Sequence, residues 1–363
     1  MKEMKRPIII SGPCSAETEE QTIITCTKLA ATQKVDILRA GIWKARTNPE
    51  SFEGVGELGL QWLSIAKRIT GLPVAIEVAN AEHVHKALAY GVDYVWIGAR
   101  TTVNPFCVKE IAKELKGTQI KVWIKNPINP DISLWIGALE RMAHSRGLEN
   151  IWLIHRGFSA YGYSEYRNPP LWHLIFDIRR QFPETKIICD PSHICGNREK
   201  LLNISQIAAD LNYDGLMLES HICPEAAWSD ANQQITPSEL KTILDTLKWR
   251  DANNNNSIFE FSLSKFRAEI DQIDSDLFEL LSRRMKLAEE IGKLKRHSNV
   301  SIFQGTRWNN VVNRILSRAK RLNLSESFIR EVFDAIHSES INRQNEIMNV
   351  KIEAGDKKNN GHF

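Results

Sequence analysis

Eight short apolar runs, each separated from the next by a helical pattern, constrain the first 250 residues more than any other feature of the chain. They are PIII (7–10), VDILRAGI (35–42), PVAIEVA (73–79), YVWIGA (94–99), IKVWIK (120–125), IWLIHR (151–156), KIICD (186–190) and GLMLES (215–220). Between them lie stretches such as EEQTIITCTKLAATQ and LGLQWLSIAKRIT, which read as helices. Strands that are apolar almost throughout belong in a parallel sheet covered by helices on its outer face. Eight such units in about 250 residues predict an α/β fold, a (β/α)8 TIM barrel. An open doubly wound sheet is the alternative, but no GxGxxG follows the first run, as a dinucleotide fold would require.

A barrel of this kind presents its chemistry where the strands end. That rim would carry Cys14 after the first strand, Lys44, Arg46 and Thr47 after the second, and Glu77 on the third. Arg100, Lys125 and Arg156 follow on strands four to six, Asp190 and His193 on the seventh, and Glu219 and His221 on the eighth, with Asp230 beyond. One cation at a strand end is ordinarily a solvated loop residue. Ionisable groups at the same end of every strand instead point to a site for several negative charges and a metal. Arg100, Lys125 and Arg156 suit a carboxylate or phosphate, and Lys44, Arg46 and Thr47 a second phosphate. Cys14, His193, Glu219 and Asp230 offer a thiolate, an imidazole and two carboxylates, a donor set compatible with manganese, iron, cobalt or zinc. The tetrapeptide SHIC stands at 192–195 and again at 220–223, so the residues alone leave two histidines open as the ligand.

Beyond Arg250 the pattern changes. DANNNNSIFEF contains four consecutive asparagines, poor formers of helix and strand, and 251–258 reads as a linker. Apolar residues then recur at steps of mostly three or four, from Phe266 through Ile270, Ile273, Leu277, Leu280, Leu281, Leu287 and Ile291 to Leu294. This predicts one long amphipathic helix, followed by helices at about 306–322 and 325–349, in an all-α domain spanning 259–350. The tail at 351–363 is polar and reads as disordered. Arg284 and Lys295 fall within about 20° on one helix face, and Ser340 and Gln344 share a face four residues apart. Arg267 projects roughly 100° away from the Arg284–Lys295 line, as if toward a site in a partner subunit.

With 363 residues, 42% hydrophobic and 25% charged, the chain can bury two cores. A net charge of +3 is too small to argue for nucleic acid, and no apolar run reaches the length of a membrane helix. The start, MKEMKRPIIISGPCS, lacks the longer apolar region of a signal peptide. Six cysteines without a CxxC pair suggest free thiols in a reducing cytosol, hence a cytoplasmic protein.

The segments GPCS, KARTNPESFEG, IGAR, IKNP, HRGF, DPSH, LMLESH and SDANQQ occur in this order. Together, over residues 5–245, they resemble the short-barrel class of 3-deoxy-D-arabino-heptulosonate 7-phosphate synthase. The resemblance implies condensation of phosphoenolpyruvate with erythrose 4-phosphate, the first step of the shikimate pathway. It further implies a divalent metal, manganese foremost, on Cys14, His193, Glu219 and Asp230. Phosphoenolpyruvate would lie on Arg100, Lys125 and Arg156, and erythrose 4-phosphate on Lys44, Arg46 and Thr47. Lys125 would either donate a proton to the developing alkoxide or hold the carboxylate. Ala45 departs from the family's usual proline. The related octulosonate-phosphate synthases share the barrel but differ in this loop.

Arg267, Arg284, Lys295, Arg307, Ser340 and Gln344 likewise resemble the motif of the all-helical chorismate mutases, dimers that rearrange chorismate to prephenate. Arg284, Lys295 and Gln344 would carry the catalysis. Gln304 and Trp308 stand where an aspartate and a glutamate are common, which keeps open a reading of the helices as a binding module for prephenate or chorismate. The expectation is a bifunctional homodimer or higher oligomer. With the first strand at Pro7, the C-terminal helices are the expected sensor for feedback, and prephenate the expected effector.

Overall fold

The computed structural model describes residues 7–45, 50–161, 164–250 and 257–349, apart from the side chains of residues 257, 258, 306 and 307. The chain divides into two compact units, Met1–Asn253 and Asn254–Phe363.

The first unit is a closed parallel barrel with its strands in sequence order. They are β1 (Ile8–Gly12), β2 (Ile37–Ala40), β3 (Val74–Val78), β4 (Tyr94–Ile97), β5 (Lys121–Lys125), β6 (Ile151–His155), β7 (Lys186–Cys189) and β8 (Gly215–Glu219). The α-helices around them are α1 (Glu19–Ala31), α2 (Glu57–Thr70), α3 (Ala81–Ala89), α4 (Ala99–Thr102), α5 (Pro105–Glu114), α6 (Ile132–Arg146), α7 (Trp172–Gln181), α8 (Pro191–Cys195), α9 (Leu201–Asp210) and α10 (Pro237–Thr246). Pairing of Ile8 with Gly215 through Gly12 with Glu219 closes the ring between β1 and β8. Local sequence fixes the helix starts. Thr18 and Asn80 accept N-cap hydrogen bonds at α1 and α3, and Thr236 with Glu239 forms a capping box at α10.

Strand alternation separates two cores. One set of residues packs the helices against the outer wall. The alternate set, Ile10, Ile37, Ala75, Trp96, Trp123, Trp152, Ile154, Ile188 and Met217, fills the interior. Trp96, Trp123 and Trp152 stack there, with ring centres 6.5 and 5.9 Å apart. Because successive side chains face opposite sides of a strand, the next residue on the inner face lies two positions further on. From Ile37 that residue is Arg39, from Ala75 Glu77, from Trp123 Lys125, from Ile154 Arg156, from Ile188 Asp190 and from Met217 Glu219. A two-residue period thus turns an apolar floor into a charged rim.

The second unit contains α11 (Ser257–His297), α12 (Gly305–Arg321) and α13 (Glu326–Asn349). α11 already runs at Ser257, inside the stretch 251–258 expected to be linker; residues 251–256 and the tail 351–363 lie outside the described residues. α11 and α13 approach closely at Gly292, where a Cβ would meet the Gln344 Cα at 3.1 Å. The N-terminal half of α11 has little cover: Phe266 is 60% exposed, Ile273 63% and Phe278 71%.

Candidate functional site

The inner-facing rim residues of the barrel are braced in pairs. Arg39 and Glu219, both buried, bridge at 2.6 Å, and the other Arg39 amine donates to the Cys14 carbonyl at 3.1 Å. The Arg39 guanidinium also lies 4.8 Å from the centre of the Trp96 ring. Lys125 Nζ pairs with Asp190 Oδ2 at 3.0 Å, and Asp190 Oδ1 lies 3.0 Å from His193 Nδ1. Burial opposes ionisation of Asp190, but His193 and Lys125 outweigh it and hold the carboxylate well below its usual range. Burial also lowers His193. With Nδ1 turned to Asp190, His193 presents Nε2 toward the rim, 3.9 Å from Glu219 Oε1.

A loop after β8 completes the arrangement. Asp230 Oδ2 accepts from Cys14 Sγ at 3.2 Å, and Gln233 Nε2 donates to Glu219 Oε2 at 2.7 Å. Gln234 Oε1 accepts from the Cys14 backbone N–H at 2.9 Å. Burial, with Glu219 next, pushes the Cys14 thiol up to about 12. Glu219 behaves oppositely: burial favours its acid form, yet His193 and Arg39 hold it at about 2.

Cys14, His193, Glu219 and Asp230 are thus brought to one rim. Among the described residues no three His, Cys, Asp or Glu side chains close as tightly as a bound ion would draw them. The Lys44 ammonium stands among them instead, 2.6 Å from Cys14 Sγ and 3.9 Å from Asp230 Oδ2. A cation beside this thiol and its neighbouring carboxylates accords with a donor set suited to positive charge. The second SHIC histidine is engaged elsewhere: His221 Nδ1 accepts from the Cys223 backbone, and Nε2 lies 3.3 Å from Glu17.

Beside the donors, a cavity of about 210 Å³ is lined by Lys44, Arg100, Lys125, Arg156, Arg167, Asp230 and neighbouring residues. Arg156 is anchored through Asn126, which accepts its backbone N–H at 2.7 Å, and through Asn168, which accepts its guanidinium at 3.0 Å. Burial lowers Arg156 to about 10; Asp190 opposes this, and Arg167 and Arg100 add to it. So much positive charge in a half-enclosed space suits an anion. Arg46 and Thr47 lie outside the described residues. Arg39, Asn126, Arg167, Asn168 and Gln233 were not among the expected site residues. Arg39 carried a signal, as a charge inside an apolar strand, which must be paired if it is to be buried, and Asn126 and Gln233 stand within the segments IKNP and SDANQQ.

In the helical unit, Arg284, Lys295, Gln304, Trp308, Ser340 and Gln344 line a cavity of about 320 Å³. Arg284 donates to the Ser340 hydroxyl and to the Ile336 carbonyl, and Lys295 to the Ile302 carbonyl. Burial lowers both cations. Gln344 Nε2 donates to the Ser340 carbonyl at 3.1 Å, while its Oε1 is buried without a partner among the described residues. Trp308 stacks on His337 with ring centres 3.8 Å apart. Arg267 is exposed and does not line this cavity, and the Arg307 side chain lies outside the described residues.

Residues 3–254 match the DAHP synthetase I family and residues 266–345 the family chorismate mutase type II. The chain is 31% identical over 240 residues to the phospho-2-dehydro-3-deoxyheptonate aldolase of Thermotoga maritima, covering 66% of this chain and 68% of that one. It is 29% identical over 268 residues to a 2-dehydro-3-deoxyphosphooctonate aldolase of Wolinella succinogenes, covering 66% and 97%. The crystal structure of the Thermotoga maritima aldolase, a DAHP synthase, superposes with a TM-score of 0.59 at 30% identity, over 66% of this chain and 67% of that one. The chain belongs to the DAHP synthetase I family and carries a chorismate mutase type II domain. It is accordingly a bifunctional enzyme, an aldol-type transferase joined to an isomerase.

Proposed function

We propose that the barrel condenses phosphoenolpyruvate with erythrose 4-phosphate at the Cys14–Lys44–Lys125 rim, and that the helical unit rearranges chorismate to prephenate between Arg284, Lys295 and Gln344. One observation carries the barrel reading. Its inner strand faces end in charges that converge on a cationic cavity beside a mixed thiol, imidazole and carboxylate donor set.

Phosphoenolpyruvate, which carries a phosphate and a carboxylate, lies on Arg100, Lys125 and Arg156. Asp190 keeps Lys125 in place, and Asn126 with Asn168 keeps Arg156 in place. Lys44, with Arg46 and Thr47, receives the aldose phosphate. These anchors hold the enol carbon and the aldehyde in attack geometry. Members of this family are typically metal-dependent. Cys14, His193, Glu219 and Asp230 would hold the ion, with manganese our first choice, and Lys44 would then turn from the thiol to substrate. When bound, the ion supplies Lewis acidity toward the aldehyde oxygen. The octulosonate relatives make the choice of aldose a point to test.

In the helical unit no covalent chemistry is needed. Arg284 and Lys295 grip the carboxylates in a folded geometry, and Lys295 with Gln344 receives the charge that develops on the breaking ether oxygen. Gln344 would serve the ether oxygen through its amide nitrogen, which donates to the Ser340 carbonyl here, while its buried Oε1 would accept from Lys295 or a ligand hydroxyl. The bare half of α11 supports a homodimer, in which Arg267 would enter the partner's site. Prephenate bound near Arg284 and Lys295 is our candidate for feedback on the barrel. A cytoplasmic location accords with the free cysteines. The decisive assay offers erythrose 4-phosphate against arabinose 5-phosphate, with phosphoenolpyruvate, to the metal-loaded chain. Preference for the five-carbon sugar would overturn the barrel assignment.

A further inference from the structure

Arg167 belongs to no strand and to none of the expected clusters, yet its guanidinium joins two arms of the donor set. Nη1 lies 3.0 Å from Asp230 Oδ1 and 2.8 Å from Gln233 Oε1. Gln233, through its amide nitrogen, is the group that holds Glu219 Oε2. One cation therefore fixes Asp230 directly and Glu219 at one remove.

Two features show that this placement is built in. Asp230 sits in the left-handed region at φ 45°. Aspartate adopts that backbone state more readily than most residues with a Cβ, and contacts on its side chain help to hold it. Among the contacts on its carboxylate, Cys14 and, at 3.9 Å, Lys44 meet one oxygen and Arg167 the other. On the far side, the methylenes of Arg167 lie against Gly196, where a Cβ would come within 2.6 Å of the Arg167 Cβ. Gly196 also has a φ of 68°, so this turn doubly favours glycine, and the room it leaves is taken by the Arg167 stem.

We propose that Arg167 is a positioning residue for the donor set: by sharing its guanidinium between Asp230 and Gln233, it aims the carboxylates of Asp230 and Glu219 together. Arginine is suited to this because the two N–H bonds of Nη1 are held in the guanidinium plane and reach both acceptors at fixed angles, which a freely rotating lysine ammonium does not reproduce. Groups that orient metal ligands typically govern affinity by about 10- to 100-fold. The inference rests on the reading of Cys14, His193, Glu219 and Asp230 as the donors.

The test uses the full chain, stripped with a chelator and titrated with Co²⁺ alone. It reads Kd by competition with a chromophoric chelator, and the thiolate-to-cobalt absorption band. Arg167→Ala should weaken Co²⁺ by about 10- to 100-fold and shift the band. Arg167→Lys should recover part of the loss. Gln233→Ala, which removes only the arm to Glu219, should weaken Co²⁺ less than Arg167→Ala and also serves if the alanine variant does not fold. Unchanged Co²⁺ affinity in Arg167→Ala, with phosphoenolpyruvate bound more weakly, would overturn the proposal and make Arg167 a substrate contact. Cys14→Ser is the separate control. If it binds Co²⁺ like the parent and lacks no absorption band, the donor assignment fails and this inference with it.

Discussion

The barrel rim and the helical cavity both gather cations for anionic ligands, but they are finished to different degrees. At the rim nearly every charge is buried and braced by another: Arg39 by Glu219, Lys125 by Asp190, Asp190 by His193. In the helices, Arg284 and Lys295 rest on a hydroxyl and backbone carbonyls, and among the described residues neither is bridged to a carboxylate. The helix that carries both cations leaves much of its apolar face bare. A site complete within one chain can be preorganised by its own strands. A site on three helices borrows its rigidity from whatever covers them.

The sharpest break in that comparison is Cys14→Ser. Losing the thiolate should cut condensation by about 1,000-fold or more, the scale of removing a group that stabilises developing charge. Chorismate turnover should stay within twofold, and both are measured on one preparation. Equal loss of the two activities would mean that the sites do not work independently.

Arg284→Ala reverses the roles. It leaves a substrate carboxylate unpaired, at a cost of about 2–4 kcal/mol, or roughly 30- to 1,000-fold in chorismate turnover. Condensation and Co²⁺ binding should persist. Near-normal turnover would reduce the helical face to a solvated one.

A smaller effect tests the borrowed rigidity. If the proposed homodimer forms through the bare face of α11, Ile273→Asp there should raise its dissociation constant by about 100-fold, a few kcal/mol for an unpaired charge in an apolar contact. Sedimentation at falling concentration reads this, and chorismate turnover should fall in step as Arg267 leaves the partner's site. A variant that is monomeric yet fully active would show that one chain completes its own cavity.

The smallest expected effect joins the two units. Prephenate should inhibit condensation by the full chain, and a chain ending at Asp251 should lose that inhibition. A tenfold preference of prephenate for the inhibited arrangement amounts to about 1.4 kcal/mol. Equal inhibition of both chains would place the effector on the barrel itself.

What could be read from the sequence follows the same contrast. The strands were legible because apolar runs of that length, punctuated by helices, permit few architectures. Lys125, Arg156 and Glu219 were legible because they close those runs. Arg39 was hidden by lying inside one, where the run reads as strand regardless. Arg167 lies in an irregular loop and Gln233 in a single short turn, so no periodicity marks them, and the fold-back of the chain after β8, with Ile235 paired to Ser220, brings Gln233 beside Glu219. In α11 the steps of three and four revealed an amphipathic helix, but periodicity does not say what covers the apolar face. The extent of the asparagine segment was overdrawn, since composition changes gradually while a helix, once started, takes in flanking residues such as Ser257.

The indoles packed inside the barrel have an optical consequence. Trp96, Trp123 and Trp152 are near enough for excitation to pass among them, and Trp96 donates a hydrogen bond to Glu77 while lying beneath Arg39 and Lys125. Any ion or anion that settles on the rim changes the electric field across that ring. The floor of this barrel is therefore a built-in lamp, whose colour and brightness report what has arrived above it without any label being attached.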